Sequence, residues 1–373
     1  MIRIPALLVA ASAFTMIGGM NAASADSNRY DAKVLVADIP PAPHLDPHLV
    51  NGWGVAFNRN PNGFVWVTDN GTGLSTLYDG LGNPQTLVVT IPPSPGSTDH
   101  GKPTGIVFNT GGGFNVTSAG KTGSSAFIFA TEDGLIAGWA PSVDGTHAIQ
   151  AFPPAGQSQD AVYKGLALAT SGGNKFIYAT DFVGGKIDVF SASFAKVSGT
   201  GSFAFADPHL PKGFSPFNVQ NINGNLFVTY AKREDDEDDE TAGPSLGVVN
   251  EFDANGNLIR RFAQRGRLNA PWGVALAPAT FGKFSNNLLI GNFGDGTINA
   301  FDLATGEFQG QLKGPNHHSL KLDGLWGMAF GNGFNSQPTD TLFFAAGPDD
   351  ENHGVYGSIT PLPGKDDEDD DND

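Results

Sequence analysis

The sequence predicts an all-β fold, a six-bladed β-propeller whose blades are four-stranded antiparallel sheets. One observation is a recurring pentapeptide in which a leading residue is followed by a glycine and then by an apolar, a small and another apolar residue. A second is its spacing, because successive copies begin roughly 50 to 60 residues apart, as expected for propeller blades. A third is the abundance of turn formers, 50 Gly and 25 Pro. The copies occupy residues 53–57, 104–108, 164–168, 217–221 (a degenerate copy), 272–276 and 326–330.

Residues 1–25 are predicted to be an export signal that is removed before Asp26. Arg3 is the only charge in this segment, which contains an apolar run and ends in Ala-Ser-Ala, as the small-x-small cleavage rule requires. The apolar run is shorter than the ~20 residues of a membrane span. We therefore expect a periplasmic or secreted protein with no transmembrane segment in the mature chain.

Residues 26–364 are predicted to form one propeller domain that the N-terminal end closes. The first five copies of the repeat are each followed by three further strand candidates, although the outer strand of blade three, near Ser202, is poorly marked. Blade six, which begins at Trp326, has no fourth candidate. Residues 33–39 alternate in polarity and belong to no copy. We expect them to pair into blade six, because closure hides the sheet edges that an open array exposes.

The formal net charge of −17 is concentrated in two segments. Residues 234–240 are all acidic, and residues 366–373 contain seven more acids; without these 14 the formal charge is −3. We expect an acidic loop insertion at 233–243 and an acidic tail at 365–373, both solvated and disordered. The chain has no basic stripe, so nucleic-acid binding is not expected. It also has no cysteine, which excludes disulfides and thiolate metal sites.

The leading residues of the six copies form the candidate ligand site. They are distant in sequence, but propeller topology brings them together around one mouth of the central channel. Either they form an aromatic cup for a ring-shaped or apolar ligand, with one lysine available for an anionic group, or they fill the channel as core. The residues are Trp53, Thr104, Lys164, Phe217, Trp272 and Trp326.

Two further expectations concern the single lysine of this ring. The acidic segment 234–240 should overhang the channel mouth. Burial among aromatic rings should lower the pKa of Lys164, unless a carboxylate such as Asp181 or Asp323 pairs with it.

A second polar set is predicted to surround the same mouth; most of its members follow the second strands of their blades, and Asp323 precedes the sixth copy of the repeat. Asn-Gly and Asp-Gly sequences are also what tight hairpins require, so these side chains are alternatively turn formers. We predict no metal ligands and no cofactor, with calcium at the acidic segments as the alternative. The residues of this set are Asp69, Asn70, Asp181, Asn292, Asp295 and Asp323.

The pattern as a whole resembles exported bacterial six-bladed propellers of the NHL-like class. The resemblance covers essentially the whole mature chain and implies the fold and export, but no activity. The chain is also similar in blade count to the gluconolactonase-like propellers, in which equivalent leading positions supply Glu, Asn and Asp to a divalent cation. None of the six leading residues here is an acid or Asn, which argues against that activity. The segments that carry the NHL-like resemblance are 51–54, 68–73, 130–134, 163–167, 216–222 and 324–327.

Three functions remain open from the sequence. The leading hypothesis is an exported module that binds a small molecule, a glycan or a protein through the face around its central channel. A hydrolase or isomerase acting there on a small lactone, ester or sugar is the alternative. A third interpretation is an acidic-loop cation binder or extracellular matrix component. We expect a monomer.

Overall fold

A computed structural model describes residues 27–198, 203–234 and 238–363 as an all-β ring of six sheets, which confirms the six-bladed propeller. The predicted signal at 1–25 and the acidic tail at 365–373 lie outside the described residues, so export stays a prediction. Within the described ranges, no helix is long and apolar enough to cross a membrane.

The first three blades follow a short N-terminal segment. That segment contains β1 (Tyr30–Ala37) and β2 (His44–Leu45). Blade one consists of β3 (Gly52–Phe57), β4 (Val65–Asp69), β5 (Leu74–Tyr78) and β6 (Val89–Thr90). Blade two consists of β7 (Pro103–Phe108), β10 (Phe127–Thr131), β11 (Ile136–Trp139) and β12 (Ile149–Phe152), with an additional hairpin of β8 (Asn115–Ser118) and β9 (Lys121–Ser124). Blade three consists of β13 (Tyr163–Ser171), β14 (Asn174–Asp181) and β15 (Lys186–Ser191).

The other three blades complete the ring. Blade four consists of β16 (Phe214–Ile222), β17 (Asn225–Arg233), β19 (Gly247–Phe252) and β20 (Leu258–Gln264), with β18 (Glu240–Thr241) beside β17. Blade five consists of β21 (Pro271–Leu276), β22 (Leu288–Asn292), β23 (Ile298–Phe301) and β24 (Phe308–Gln311). Blade six consists of β25 (Leu325–Phe330), β26 (Leu342–Ala346) and β27 (Val355–Pro361) together with β1.

The N-terminal strand closes the ring, as the sequence predicted. Strand β1 runs antiparallel to β27, from Tyr30 opposite Pro361 to Ala37 opposite Val355. It therefore supplies the outer strand that blade six lacks. Blade three is described with three strands, and Ser202, where its outer strand was predicted, lies outside the described residues.

The hydrophobic core is divided among the interfaces between blades. Six clusters of buried side chains each combine residues of two neighbouring blades, and a seventh lies on the axis. Ile128 of blade two and Ile177 of blade three, for example, are completely buried in one cluster. Because each blade is stabilised by both neighbours, an interruption anywhere in the ring exposes two apolar faces.

A β-bulge marks the start of every inner strand, at the leading residue of the repeat. In blade one, Trp53 and Gly54 together lie opposite Thr68, whose hydroxyl accepts the Gly54 N–H at 2.7 Å and donates to the Thr104 carbonyl of blade two at 2.6 Å. A bulge re-aims the side chain it contains. It thereby directs the leading residues toward the axis.

The glycine of the repeat is required by the close approach of neighbouring inner strands. A Cβ atom on Gly54 would lie 2.5 Å from the Thr104 carbonyl oxygen, and one on Gly273 would lie 2.7 Å from that of Trp326. Blade four has Asn218 at this position, and its Nδ2 donates to the Trp272 carbonyl at 2.8 Å. The degenerate copy therefore replaces a close backbone contact with a hydrogen bond.

Substituting Gly54 with Ala is expected to lower the free energy of unfolding by about 1 to 3 kcal/mol, because the added methyl group meets backbone that cannot move independently. Urea unfolding measures this loss. Gly145→Ala is the matched control: its added methyl group would have no described atom within 4 Å, so its effect should stay within about 0.5 kcal/mol. Equal stabilities of the two variants would contradict the explanation of the repeat.

Candidate functional site

The aromatic leading residues pack together on the axis as a plug. Trp53 and Trp326 stack with ring centroids 3.5 Å apart, and Phe293 stacks on Trp326 at 4.0 Å. Trp272 meets Trp53 and Trp326 edge to face at 6.0 and 5.8 Å, and Phe217 meets Trp326 at 5.7 Å. All four leading aromatic residues are at most 4% exposed.

This packing matches the interpretation of the leading residues as core. Thr104, another of them, is also buried, and its hydroxyl donates to the Tyr163 carbonyl at 2.6 Å. The topology thus brings the six residues together as predicted. Ligand binding at this end of the channel stays a prediction. A ligand there would have to displace aromatic side chains that already pack against one another.

Lys164 is the one ionisable leading residue, and it lies beneath the acidic insertion. Its side chain is 1% exposed, yet its ammonium pairs with Glu132 of blade two and with Asp239, each at 2.8 Å. The Nζ atom also lies 5.3 Å from the ring centroid of Trp53 and 5.7 Å from that of Phe182. The lysine therefore connects its own blade three to blades one, two and four by ion pairs and cation–π contacts.

The carboxylates that were expected to pair with Lys164 have other partners. Asp181 pairs with Lys186 in its own blade. Asp323 accepts the backbone N–H of Asp349 at 3.0 Å. Carboxylates do pair with Lys164, as the expectation allowed, but the two acids that were named for this pairing are wrong, because Asp181 is engaged in its own blade and Asp323 by the loop that contains Asp349.

The charges around Lys164 raise its pKa rather than lower it. Burial alone lowers the pKa of Lys164, but the carboxylates of Glu132, Glu240 and Asp239 raise it by more, and the ammonium stays charged. Burial raises the pKa of Glu240 to about 7, with Lys164 opposing the shift. Burial also raises the pKa of Glu351, and Glu132 adds to this effect. One buried cation is therefore surrounded by four acids at this end, and two of them, Glu132 and Asp239, pair with it directly.

The acidic insertion is ordered at its C-terminal end, where disorder was expected, although the side chains of Asp238 and Asp239 are exposed there. Residues 235–237 lie outside the described part of the chain. At its C-terminal end, however, Asp239 pairs with Lys164, and β18 adds to the edge of β17. The like-charge block is stabilised here because a buried cation compensates part of its charge.

Within the predicted polar set, only Asn70 reaches toward the Lys164 cluster, where its Nδ2 donates to Glu132 at 2.8 Å. Asp69 is completely buried, and its Oδ1 accepts the Thr76 hydroxyl at 3.2 Å. Burial raises the pKa of Asp69 well above its ordinary value. Asp69 is therefore a buried acid of blade one rather than part of a rim.

Three of the four remaining members of the polar set hold turns. Asn292 donates to Asp295 at 3.2 Å, and Asp295 accepts the Thr297 hydroxyl at 2.7 Å. Asp181 accepts the Gly184 N–H at 2.9 Å. Asp323 instead links two loops of blade six, because it accepts the N–H of Asp349 in the loop between β26 and β27. Three of the four residues thus follow the turn-former interpretation, and the four do not share a pocket.

The opposite end of the channel is open. A cavity of about 810 Å³ lies between the C-terminal halves of the six inner strands, and a smaller one of about 20 Å³ lies deeper, below Trp272. Blades one, two, three, five and six line both cavities with apolar side chains. Blade four contributes a glutamine instead. These six residues are Val55, Ile106, Leu166, Gln220, Val274 and Met328.

Blade four departs from the repeat at the cavity wall. Gln220 replaces the small residue of the repeat, and Asn221 replaces its last apolar residue. The Asn221 amide is satisfied, because it donates to the Leu168 carbonyl at 2.8 Å and accepts the Gly224 N–H at 3.0 Å. The half-buried Gln220 amide makes no hydrogen bond to a described residue, so its amide is free to bind a ligand.

The cavity wall carries little chemistry. Among the described residues, Arg59 is the only ionisable one that lines it, and no Asp, Glu, His or Lys does so. Over the described ranges, no group of three or more His, Asp or Glu side chains is arranged to hold a metal ion. The wall can therefore exclude water and offer neutral amide and hydroxyl groups, but its described residues present no acid and base pair.

The site predicted from the leading residues lies at the other end of the channel from this cavity. The signal in the sequence for the cavity was the degenerate fourth copy, where polar residues occupy apolar positions of an inward-facing strand. A degenerate copy of a repeat can therefore have either of two meanings: the blade has lost the repeat pattern, or it carries the residues that recognise a ligand.

The comparisons with known proteins identify relatives but no activity. No family model matches the chain. The chain is similar to an uncharacterized protein of Acanthamoeba polyphaga mimivirus, L690, at 33% identity over 328 residues, which cover 85% of this chain and 82% of L690. It is also similar to R648 of the same virus, at 32% identity over 324 residues, which cover 85% of this chain and 76% of R648. These viral relatives do not support the bacterial origin that the NHL-like resemblance implied.

A solved structure supports the fold. The GH93 α-L-arabinofuranosidase of Fusarium graminearum, solved with arabinobiose, matches 89% of this chain and 98% of its own with a TM-score of 0.51. Its sequence identity is 8%, so the likeness shows the fold alone. The two viral proteins, by contrast, are related by sequence over most of their length. The chain belongs to the family that includes the mimivirus proteins L690 and R648.

Proposed function

We propose that the protein is a binding module that takes up a small, largely apolar molecule in the open end of its central channel. The observation that supports this most directly is the cavity of about 810 Å³, whose deeper wall is formed by apolar side chains of five blades and whose mouth carries polar groups. Ligand pockets of small molecules have this size and character, with a few polar groups to fix orientation. The free amide of Gln220 is such a group.

The ligand is thereby assigned to the open end of the channel rather than to the plugged end. At the plugged end, a ligand would have to replace contacts among Trp53, Trp272 and Trp326. At the open end it replaces water against apolar side chains, which is favourable by about 25 cal/mol for each Å² buried. The predicted export to the periplasm or beyond belongs to this proposal, and its support is the signal-like sequence of residues 1–25.

The alternative of a hydrolase or isomerase receives no support from the cavity wall. Such reactions need a general acid or base within hydrogen-bond reach of the substrate. Among the residues that the structure describes, Arg59 is the only ionisable one that lines the cavity, and an arginine stays protonated. We therefore favour binding without chemical change.

A channel-filling substitution tests the proposal. The neutral fluorescent probe N-phenyl-1-naphthylamine should bind the native protein with increased emission, and Leu276→Trp should weaken this binding by at least about tenfold. The matched control is Leu303→Trp, since both leucines are partly buried in the same cluster but only Leu276 lines the cavity. Equal binding of the probe by the two variants would show that the probe binds outside the channel.

A further inference from the structure

The cation at the mouth of the cavity has no partner within the described part of the chain. Arg59 lies in the turn between β3 and β4, is exposed, and lines the cavity. Its guanidinium makes no ion pair and no hydrogen bond with any described residue, whereas Arg260 pairs with Glu251 at 2.7 Å and Arg261 pairs with Asp207. A free guanidinium beside an apolar cavity can form two parallel hydrogen bonds with a carboxylate, sulfonate or phosphate.

A second basic side chain lies at the same mouth. Lys175, at the start of β14, donates to Asn109 Oδ1 at 3.2 Å and to the carbonyls of Thr110 and Gly112. All three acceptors are uncharged, and Thr110 lines the cavity. The lysine is therefore held at the rim without a described carboxylate to neutralise it.

The loops between the inner and second strands carry mainly positive charge as well. The segments that connect inner to second strands, with the first residues of β14, carry four cations and one acid: Arg59, Lys121, Lys175, Lys283 and Asp340. Other acids of this face lie in outer turns. Four of them accept N–H groups of their own turns, namely Asp79, Asp144, Asp253 and Asp302, and Glu307 is exposed at the end of the Asp302 turn. The loops nearest the mouth are thus locally basic, although the net charge of the chain is −17. The electrostatic field of the whole protein repels anions, so a preference for an anionic ligand would have to come from these local cations.

The two ends of the channel are therefore opposite in charge as well as in access. At the plugged end Lys164 is surrounded by carboxylates, and at the open end Arg59 pairs with no described carboxylate. Resting on the proposed function, we propose that the ligand is an amphiphilic monoanion, whose apolar body fills the channel and whose acidic head group pairs with Arg59 at the mouth. A long-chain or aromatic carboxylate has this chemistry.

A matched ligand series tests this assignment on the full-length protein. Dodecanoate, dodecanol and dodecyltrimethylammonium have the same apolar chain and differ in head-group charge, and each is titrated against bound N-phenyl-1-naphthylamine. We expect dodecanoate to displace the probe at a concentration about tenfold lower than dodecanol, with the cation weakest. The advantage of dodecanoate should shrink as salt is added, because exposed charges are screened.

Arg59→Gln should remove most of the preference for dodecanoate and leave dodecanol binding unchanged. Its melting temperature should equal that of the native protein, because Arg59 is exposed and has no partner among the described residues. Lys283→Gln is the control, since Lys283 is a cation of the same face that does not line the cavity. Equal binding of dodecanoate and dodecanol by the native protein, or a preference that survives Arg59→Gln, would overturn the assignment.

The outcomes separate this inference from the proposed function. If the probe binds in the channel by the Leu276→Trp criterion but no anion preference is found, only the ligand class is wrong. If Leu276→Trp leaves the binding of the probe and of dodecanol unchanged, the channel is not the site and both proposals fail.

Discussion

Removing residues 27–39 is expected to abolish cooperative folding of the ring, rather than to subtract the contribution of one strand. Strand β1 is the outer strand of blade six, and its Tyr30 is completely buried against Phe281 and Phe284 at ring-centroid distances of 5.0 and 6.1 Å. Without it, β27 becomes an open edge, and apolar surface of blades five and six is exposed. Circular dichroism melts and size-exclusion chromatography should show a broad, early transition and aggregation.

Removal of residues 364–373 is the control for this truncation. This segment contains the acidic tail that we predict to be dispensable, and its loss reduces the negative charge of the chain. The melting temperature of this variant should be unchanged or slightly higher. A protein without residues 27–39 that melts like the intact one would show that the closing strand is not needed.

Replacing Trp272 with Ala should lower the free energy of unfolding by about 3 to 5 kcal/mol, the range for large aromatic residues removed from a core. Its side chain is 4% exposed and contacts Trp53 and Trp326. Its Nε1 donates to the Lys164 carbonyl at 3.0 Å, so the substitution also leaves a buried acceptor unpaired. Chemical denaturation measures the loss.

The same variant separates the two ends of the channel. At temperatures where Trp272→Ala stays folded, it should bind N-phenyl-1-naphthylamine with at most a small change, because the large cavity lies at the other end. Phe308→Ala is the control for stability, since this aromatic residue is 45% exposed and should contribute about 1 kcal/mol or less. A Trp272→Ala protein of native stability that has lost the probe would identify the plug as a ligand cup.

The fold could be predicted from the sequence because its main constraint is local and repeated. Each copy needs a glycine where inner strands nearly touch, as at Gly54 and Gly273, and this requirement recurs with every blade. Closure could be predicted by elimination, since blade six lacked a strand and one N-terminal segment belonged to no blade. Residues 199–202, where an outer strand was weakly marked, are outside what the structure describes.

The candidate site was only partly predictable. Convergence of the leading residues follows from topology alone, but whether they leave a cup or fill it depends on how three indole rings pack. The partners of Lys164 could not be inferred either, because Glu132 and Asp239 come from different blades. Acids nearer in sequence, such as Asp181, were already engaged in their own turns. The open cavity depends on side-chain volumes that no repeat pattern specifies.

The plug formed by Trp53, Trp272 and Trp326 closes one end of the channel, so the cavity has a single opening. In the proposed binding mode, a bound molecule must leave by the route through which it entered, so its arrival and departure both take place at the mouth near Arg59. A partner that covered this mouth would slow release without touching the ligand's apolar body, and would lengthen the bound lifetime at unchanged wall contacts. Exchange rates, rather than affinity alone, are therefore the quantity that such a partner would alter.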